Sequence, residues 1–128
     1  MRLLLDTHVL LWWHHEPSRL SETAHDAISD LDNEVFLSVI NGWEVQIKAQ
    51  LGKLILAKPL NIILEQEQTT NNFRLLPITM DHVHALDHLP LHHRDPFDRL
   101  LVAQAQHERM TLVTHDPKLS AYTVPLLW

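Results

Sequence analysis

The apolar positions of this chain change period repeatedly, and each change marks an element. Leu3-Leu4-Leu5 is a short continuous apolar run ending at Asp6-Thr7. Beyond it Val9, Leu10, Trp12 and Trp13 return at helical spacing until Glu16-Pro17 breaks the pattern. Ser21 is the expected N-cap of an amphipathic helix over Ala24, Ala27, Ile28 and Leu31, with Asp32-Asn33 as its stop. Glu34 to Val39 is rich in β-favouring residues and predicts a strand, which leads through Asn41-Gly42 into a helix over Trp43 to Lys48. Pro59 opens a helix through Ile62, Ile63 and Leu64 to the polar Thr69-Thr70-Asn71-Asn72. Leu75-Leu76-Pro77-Ile78 reads as a short strand, and Thr79 as the N-cap of a helix over Val83 and Leu86. After a loop containing Pro90, Asp95-Pro96 starts the clearest helix, carrying Leu100, Leu101, Ala103 and Ala105 towards Arg109. Thr111 to Thr114 is a strand, His115-Asp116-Pro117 a turn, and Tyr122-Thr123-Val124 an expected edge strand.

Strands alternating with helices, in a chain with only 2 glycines, predict an α/β fold with a parallel sheet covered on both faces. A length of 128 residues suits one domain spanning residues 1–128, and no repeat divides it. No stretch approaches the roughly 18 apolar residues of a membrane span, and Asp6 arrives too early for a signal peptide, so the expected location is cytoplasmic. The absence of cysteine excludes disulfides, thiolate metal sites and cysteine nucleophiles. A formal charge of −6 argues against a broad basic face for nucleic acid, so any phosphate contact must be local or carried by metal; the 11 histidines soften the charge when partly protonated.

The candidate chemistry lies in acids that are far apart along the chain. Asp6, Glu44 and Asp116 each follow a predicted strand, and Asp98 opens the helix before the last strong one. In a parallel sheet such positions share the carboxyl edge, where open α/β sheets bind ligands. Two carboxylates ~4 Å apart repel by ~4 kcal/mol at an effective dielectric of 20, so their convergence calls for a cation or for bound protons. Hard oxygen donors suit Mg²⁺ or Mn²⁺, and these ions pair naturally with phosphate. Each acid also has a plain structural role. Asp95 is a good N-cap, Asp116 precedes Pro117 in a turn, and Glu44 pairs with Lys48 at i, i+4. Lys48, Arg94 and Arg99 are candidates to touch a phosphate backbone, while Trp12, Trp13 and Trp43 suit a core or a dimer interface. His84 and His88 have metal-ligand spacing, but Pro90 ends their helix and no third ligand stands at a motif spacing. Two other acidic α/β classes fail on the letters. A phospho-receiver needs a mid-chain acceptor Asp, absent between Asp32 and Asp81, and a dehalogenase-like phosphatase needs a second Asp two residues after Asp6, where His8 stands.

Four segments in order then resemble the successive motifs of PIN domains, especially VapC-type toxins: Leu4-Leu5-Asp6-Thr7, Ser38 to Lys48, His93 to Ala105, and Leu112-Val113-Thr114-His115-Asp116. The resemblance implies a three-layer α/β/α sandwich with a central parallel sheet of four to five strands. It further implies Mg²⁺- or Mn²⁺-dependent cleavage of RNA to a 5′-phosphate and a 3′-hydroxyl, a homodimer, and inhibition by a cognate antitoxin protein. On that pattern Asp6, Glu44 and Asp98 would be metal ligands with Asp116 completing the pocket, Asp95 would be the alternative to Asp98, and Thr7 and Thr114 would be polar supports. Asn41-Gly42 stands where the pattern carries small or apolar residues. The competing reading is a catalytically silent PIN-like module that binds RNA or a protein.

Overall fold

The computed structural model describes residues 1–128. Its five strands are β1 (Arg2–Leu5), β2 (Glu34–Ser38), β3 (Arg74–Leu76), β4 (Thr111–Val113) and β5 (Leu126–Leu127). They form one sheet in the order β3-β2-β1-β4-β5, with every pairing parallel. Six helices connect them: α1 (Thr7–His15), α2 (Glu22–Ser29), α3 (Val39–Gln50), α4 (Leu60–Thr70), α5 (Met80–Ala85) and α6 (Pro96–Glu108).

β1 is the centre of the sheet because all of it beyond Arg2 is withdrawn from water. Leu3, Leu4 and Leu5 are each 0% exposed, with Leu4 between Phe36 and Leu112 in the register. Successive side chains of a strand point to opposite faces, and the two halves of the core follow that alternation. Leu3, Leu5, Val35, Leu37 and Val113 join Val9 and Leu10 of α1 and Ala24 and Ile28 of α2 in one cluster. Leu4, Phe36 and Leu112 join Leu101, Val102 and Ala105 of α6 in the other. The result is the expected three-layer α/β/α sandwich.

Chain order places the site. The path leaves β1 for β2 and β3 on one side, then returns to β4 and β5 on the other. The switch point therefore lies between the carboxyl ends of β1 and β4, where the adjoining loops diverge and leave a crevice. Opposite in character is Glu67 of α4, a buried carboxylate that accepts from Trp13 Nε1 (2.9 Å) and Asn71 Nδ2 (2.8 Å) and lies 2.8 Å from His14 Nδ1, pinning α4 to α1.

Several boundaries differ from the sequence reading: α2 ends at Ser29, short of Leu31, β3 is Arg74–Leu76, and Leu86 falls just past α5; two larger shifts have clear causes. The helix expected to begin at Trp43 begins at Val39, because Ser38 Oγ accepts from the Ile40 N–H (3.0 Å) while the Ser38 N–H donates to Asn41 Oδ1 (2.7 Å), a reciprocal cap that takes Asn41-Gly42 into the helix. The edge strand expected at Tyr122–Val124 lies at Leu126–Leu127. Tyr122 instead closes a 3-10 turn (Pro117–Ala121) with its ring in the core, and pairing with β4 starts where the Leu112 N–H reaches the Pro125 carbonyl. No helix is long and apolar enough to cross a membrane.

The packing makes a direct prediction. Leu4→Ala should lower unfolding stability by about 2–5 kcal/mol, the usual cost of a buried leucine cavity, whereas Leu31→Ala, at a side chain 92% exposed, should stay within about 0.5 kcal/mol. Urea denaturation of the two variants beside the parent chain checks both.

Candidate metal centre

β1 ends on the buried Leu5, and the next residue, Asp6, is the N-cap position of α1. Its N–H donates to the Val113 carbonyl of β4 (3.0 Å), so the backbone is fixed across the switch point. Its side chain is 5% exposed and accepts from Thr114 Oγ1 (2.7 Å), the residue that follows β4. On the β2 side, α3 carries Glu44 inward to 4% exposure. Thr7 Oγ1 donates to Glu44 Oε1 (2.7 Å), and Asn41 Nδ2 donates to both Thr7 Oγ1 (3.0 Å) and the Leu5 carbonyl (3.1 Å). Thr7 and Thr114 thus stand beside the acids as hydroxyl donors, and Asn41 fixes Thr7.

These groups border a cleft of about 340 Å³, lined by Asp6, Glu44, Asp95, Asp98 and Asp116 together with Lys48, His8, Trp12, His115 and Pro117. All four acids singled out from the sequence therefore meet, and Asp95 joins them. Asp95 and Asp98 divide their work. Asp95 Oδ1 accepts the N–H groups of Phe97 (2.8 Å) and Asp98 (3.2 Å) as the α6 cap, while Asp98 Oδ2 lies 2.8 Å from His93 Nε2. Asp116 Oδ1 caps the following 3-10 turn through the Lys118 N–H (2.9 Å).

The cleft holds more negative charge than its own cations offset. Lys48 is the only lysine or arginine among the lining residues, and its Nζ is committed to Glu44 Oε2 at 2.6 Å. Burial acts to lower the Lys48 pKa, but the hydrogen bond and charge of Glu44, with Asp95 and Asp98 behind them, hold it above its ordinary value. Burial raises the Asp6 carboxyl above its ordinary range, and the Glu44 charge adds to this against the Thr114 hydrogen bond. Asp98 is pushed up to about 6, first by burial and then by the Asp6 charge, with Asp95 and Glu44 adding and the His93 hydrogen bond opposing. Buried oxygen donors gathered with so little counter-charge suit a hard divalent cation.

The remaining candidates are placed differently. Arg99 donates to the carbonyls of Pro90 (2.9 Å) and Leu89 (3.4 Å) and to the Tyr122 hydroxyl (3.3 Å), which ties the loop before α6 to the core. Arg94 is exposed. Trp13 packs on Phe73 within the core, Trp43 is 54% exposed with an edge contact to Phe97, and Trp12 lines the cleft. Asn41, His93, His8 and His115 were not among the site residues expected from the sequence. Of these, Asn41 left a trace there, as the third helical residue after a capping serine.

Known proteins are similar to this chain in sequence and in fold. A model of the PIN domain family matches residues 3–124. The chain is 34% identical to Ribonuclease VapC22 of Mycobacterium tuberculosis over 124 residues, covering 96% of this chain and 93% of that relative. Its fold is similar to the crystal structure of VapBC2 from Rickettsia felis bound to a DNA fragment from their promoter, with a TM-score of 0.75 at 16% identity, covering 98% of this chain and 97% of that one. FitAcB from Neisseria gonorrhoeae gives a TM-score of 0.64 at 21% identity, covering 97% and 95%. A sheet whose switch point gathers the acids of its four motifs, and a match that runs almost from end to end, place this chain in the PIN domain family.

Proposed function

We propose that the chain is a single-domain, divalent-metal-dependent endoribonuclease acting in the cytoplasm as the toxin of a toxin-antitoxin pair. The observation that carries this reading is the charge imbalance of the cleft: five carboxyl groups, two of them held above their ordinary range, against one lysine. Asp6, Glu44 and Asp98 hold Mg²⁺ or Mn²⁺, and Asp116 completes the pocket. When bound, the ion neutralises the phosphate and the developing charge on the leaving oxygen of an in-line displacement.

The residues of the chain supply position. Thr114 occupies one carboxylate oxygen of Asp6 and leaves the other available for a cation; Thr7 and Lys48 each hold one oxygen of Glu44, which meets a cation through a remaining lone pair. Neutral donors orient those acids without cancelling their charge, which an arginine in the same place would do. His8, Trp12 and His115 face the cleft and give unpaired bases flat surfaces to stack on. Water attacks phosphorus, the bond to the 3′-oxygen breaks, and the products are a 3′-hydroxyl and a 5′-phosphate. The partner antitoxin inhibits by placing an Arg or Lys among the carboxylates, and the toxin works as a dimer.

Cleavage of a mixed RNA pool with Mg²⁺, with Mn²⁺ and with EDTA tests the reading. Metal-dependent cutting is expected from the parent chain, with a loss of more than about 100-fold in Asp6→Asn and Asp98→Asn and of about 10–100-fold in Thr114→Val, the usual effect of an outer-shell partner. Equal cutting by Asp6→Asn would overturn the assignment; metal binding without any cutting would favour the silent module. Protonation adds a second expectation. Metal binding requires ionised carboxylates, so Mn²⁺ affinity measured by calorimetry should weaken as pH falls through about 6, the value to which Asp98 is raised. The metal-free protein should show the opposite trend. Between the ordinary 3.8 and about 6 the folded state binds more protons at Asp98 than the unfolded chain does, so this group's contribution to stability falls as pH rises through that window. Asp98→Asn in EDTA at pH 8 should therefore melt above the parent chain, with the difference disappearing below about pH 4.

A further inference from the structure

Beside the acids stands a nitrogen donor. His93 lies in the loop before α6, and its backbone N–H donates to the Tyr122 hydroxyl (2.9 Å), a side chain only 5% exposed and also held by Arg99. The loop therefore presents His93 from a fixed point on the core. Its Nε2 lies 2.8 Å from Asp98 Oδ2, and single ligand atoms of His93, Asp98 and Asp116 all fall within 4.8 Å of one another. Donors bound to one ion at about 2.0–2.2 Å are roughly 3–4.3 Å apart, so the trio is already near coordinating separation.

We propose that His93, Asp98 and Asp116 form a metal position that shares Asp98 with the three-acid group and, through the imidazole, takes a first-row transition ion such as Mn²⁺ in preference to Mg²⁺. This rests on the reading of the cleft as a metal centre. Imidazole nitrogen is a poor partner for Mg²⁺, which keeps oxygen donors, whereas first-row transition ions accept mixed nitrogen and oxygen sets.

The hydrogen-bond pattern shows why His93 can ligate. A neutral imidazole has one N–H and one lone pair. His93 Nδ1 has no partner within the protein, and no buried polar side-chain atom is left unpartnered, so Nδ1 is open to solvent and can carry the proton. In the metal-free chain Nε2 donates to Asp98 Oδ2, and moving that proton to Nδ1 frees the Nε2 lone pair for the ion. A second cluster, His82, His107 and Glu108, has the same separations but cannot do this. The Thr79 N–H donates to His82 Nδ1 (3.1 Å) as part of the α5 cap, which places the proton on Nε2, where it meets Glu108 Oε1 at 2.9 Å. Ligation there would put two donors face to face and break the cap.

The test is pulsed electron paramagnetic resonance on the full chain loaded with Mn²⁺, which detects a coordinated imidazole nitrogen directly, together with displacement of Mn²⁺ by Mg²⁺. The parent chain should show nitrogen modulation. His93→Gln should lose it, and its preference for Mn²⁺ over Mg²⁺ should fall at least about tenfold. Asp116→Asn leaves His93 in place and should weaken Mn²⁺ binding while keeping the fold, as read by unfolding in EDTA. Mn²⁺ bound without nitrogen modulation, with His93→Gln unchanged in selectivity, would overturn this proposal and leave the three-acid centre standing. Absence of any Mn²⁺ binding would remove both.

Discussion

Everything at the site depends on one electrostatic constraint: acids that repel one another are held together by a sheet edge that cannot yield. Asp6 cannot retreat from Asp98 or Glu44, because its backbone continues a strand of three fully buried leucines and is hydrogen-bonded to β4. Relaxing the repulsion would mean pulling Leu3, Leu4 and Leu5 out of both halves of the core, at roughly 1.5–3 kcal/mol for each side chain exposed. The fold therefore stores the repulsion, which adds to burial in raising the carboxyls of Asp6 and Asp98. Protons relieve it at low pH, and in the proposed reading a divalent cation would relieve it at neutral pH, its affinity following from the packing of the sheet.

The supports around the acids are consistent with that constraint. Hydroxyl and amide groups do the orienting: Thr114 on Asp6, Thr7 on Glu44, and Asn41 bridging Thr7 to the end of β1. Each adds a directed hydrogen bond and no formal charge. Lys48 is the exception: it lines the cleft, is partly exposed and is bonded to the second oxygen of Glu44. Its charge limits the repulsion between Glu44, Asp95 and Asp98. Asn41 does two tasks with one side chain, since its Oδ1 caps α3 and its Nδ2 serves Thr7. This explains why an amide occupies a position where small or apolar residues were expected.

Much of this was legible in the letters because it rests on local rules. An apolar run ending in an acid, as in Leu3-Leu4-Leu5-Asp6, reads as a buried strand delivering a carboxylate to the sheet edge, and Asp95-Pro96 reads as a helix start. What stayed hidden depends on partners distant in sequence. Tyr122-Thr123-Val124 has strand-forming residues, but the Tyr122 ring fills the core under α6 and its hydroxyl is claimed by His93, so the strand forms only beyond Pro125. His92-His93 invited a metal reading only as a histidine pair with no third ligand at a motif spacing, because the place of His93 beside Asp98 depends on that same long-range bond. Arg99 looked like a phosphate contact from its position beside the acids, whereas its guanidinium meets two loop carbonyls and a tyrosine, none of which follows from spacing.

A chain of net charge −6 with an acidic cleft is at first sight a poor partner for a polyanion. The distribution of charge resolves this. At ordinary ionic strength, exposed acids more than about 8–10 Å from the cleft are largely screened, so the approach of a phosphate is governed by the charges in and around the cleft itself. Without a cation, that local field repels phosphate. With a divalent ion among the carboxylates, as proposed, it becomes locally attractive. Five of the acids lie in the cleft against one lysine, so most of the net −6 is concentrated there and the rest of the chain is close to neutral. In the proposed reading the cation therefore governs contact with the substrate as well as the chemistry that follows.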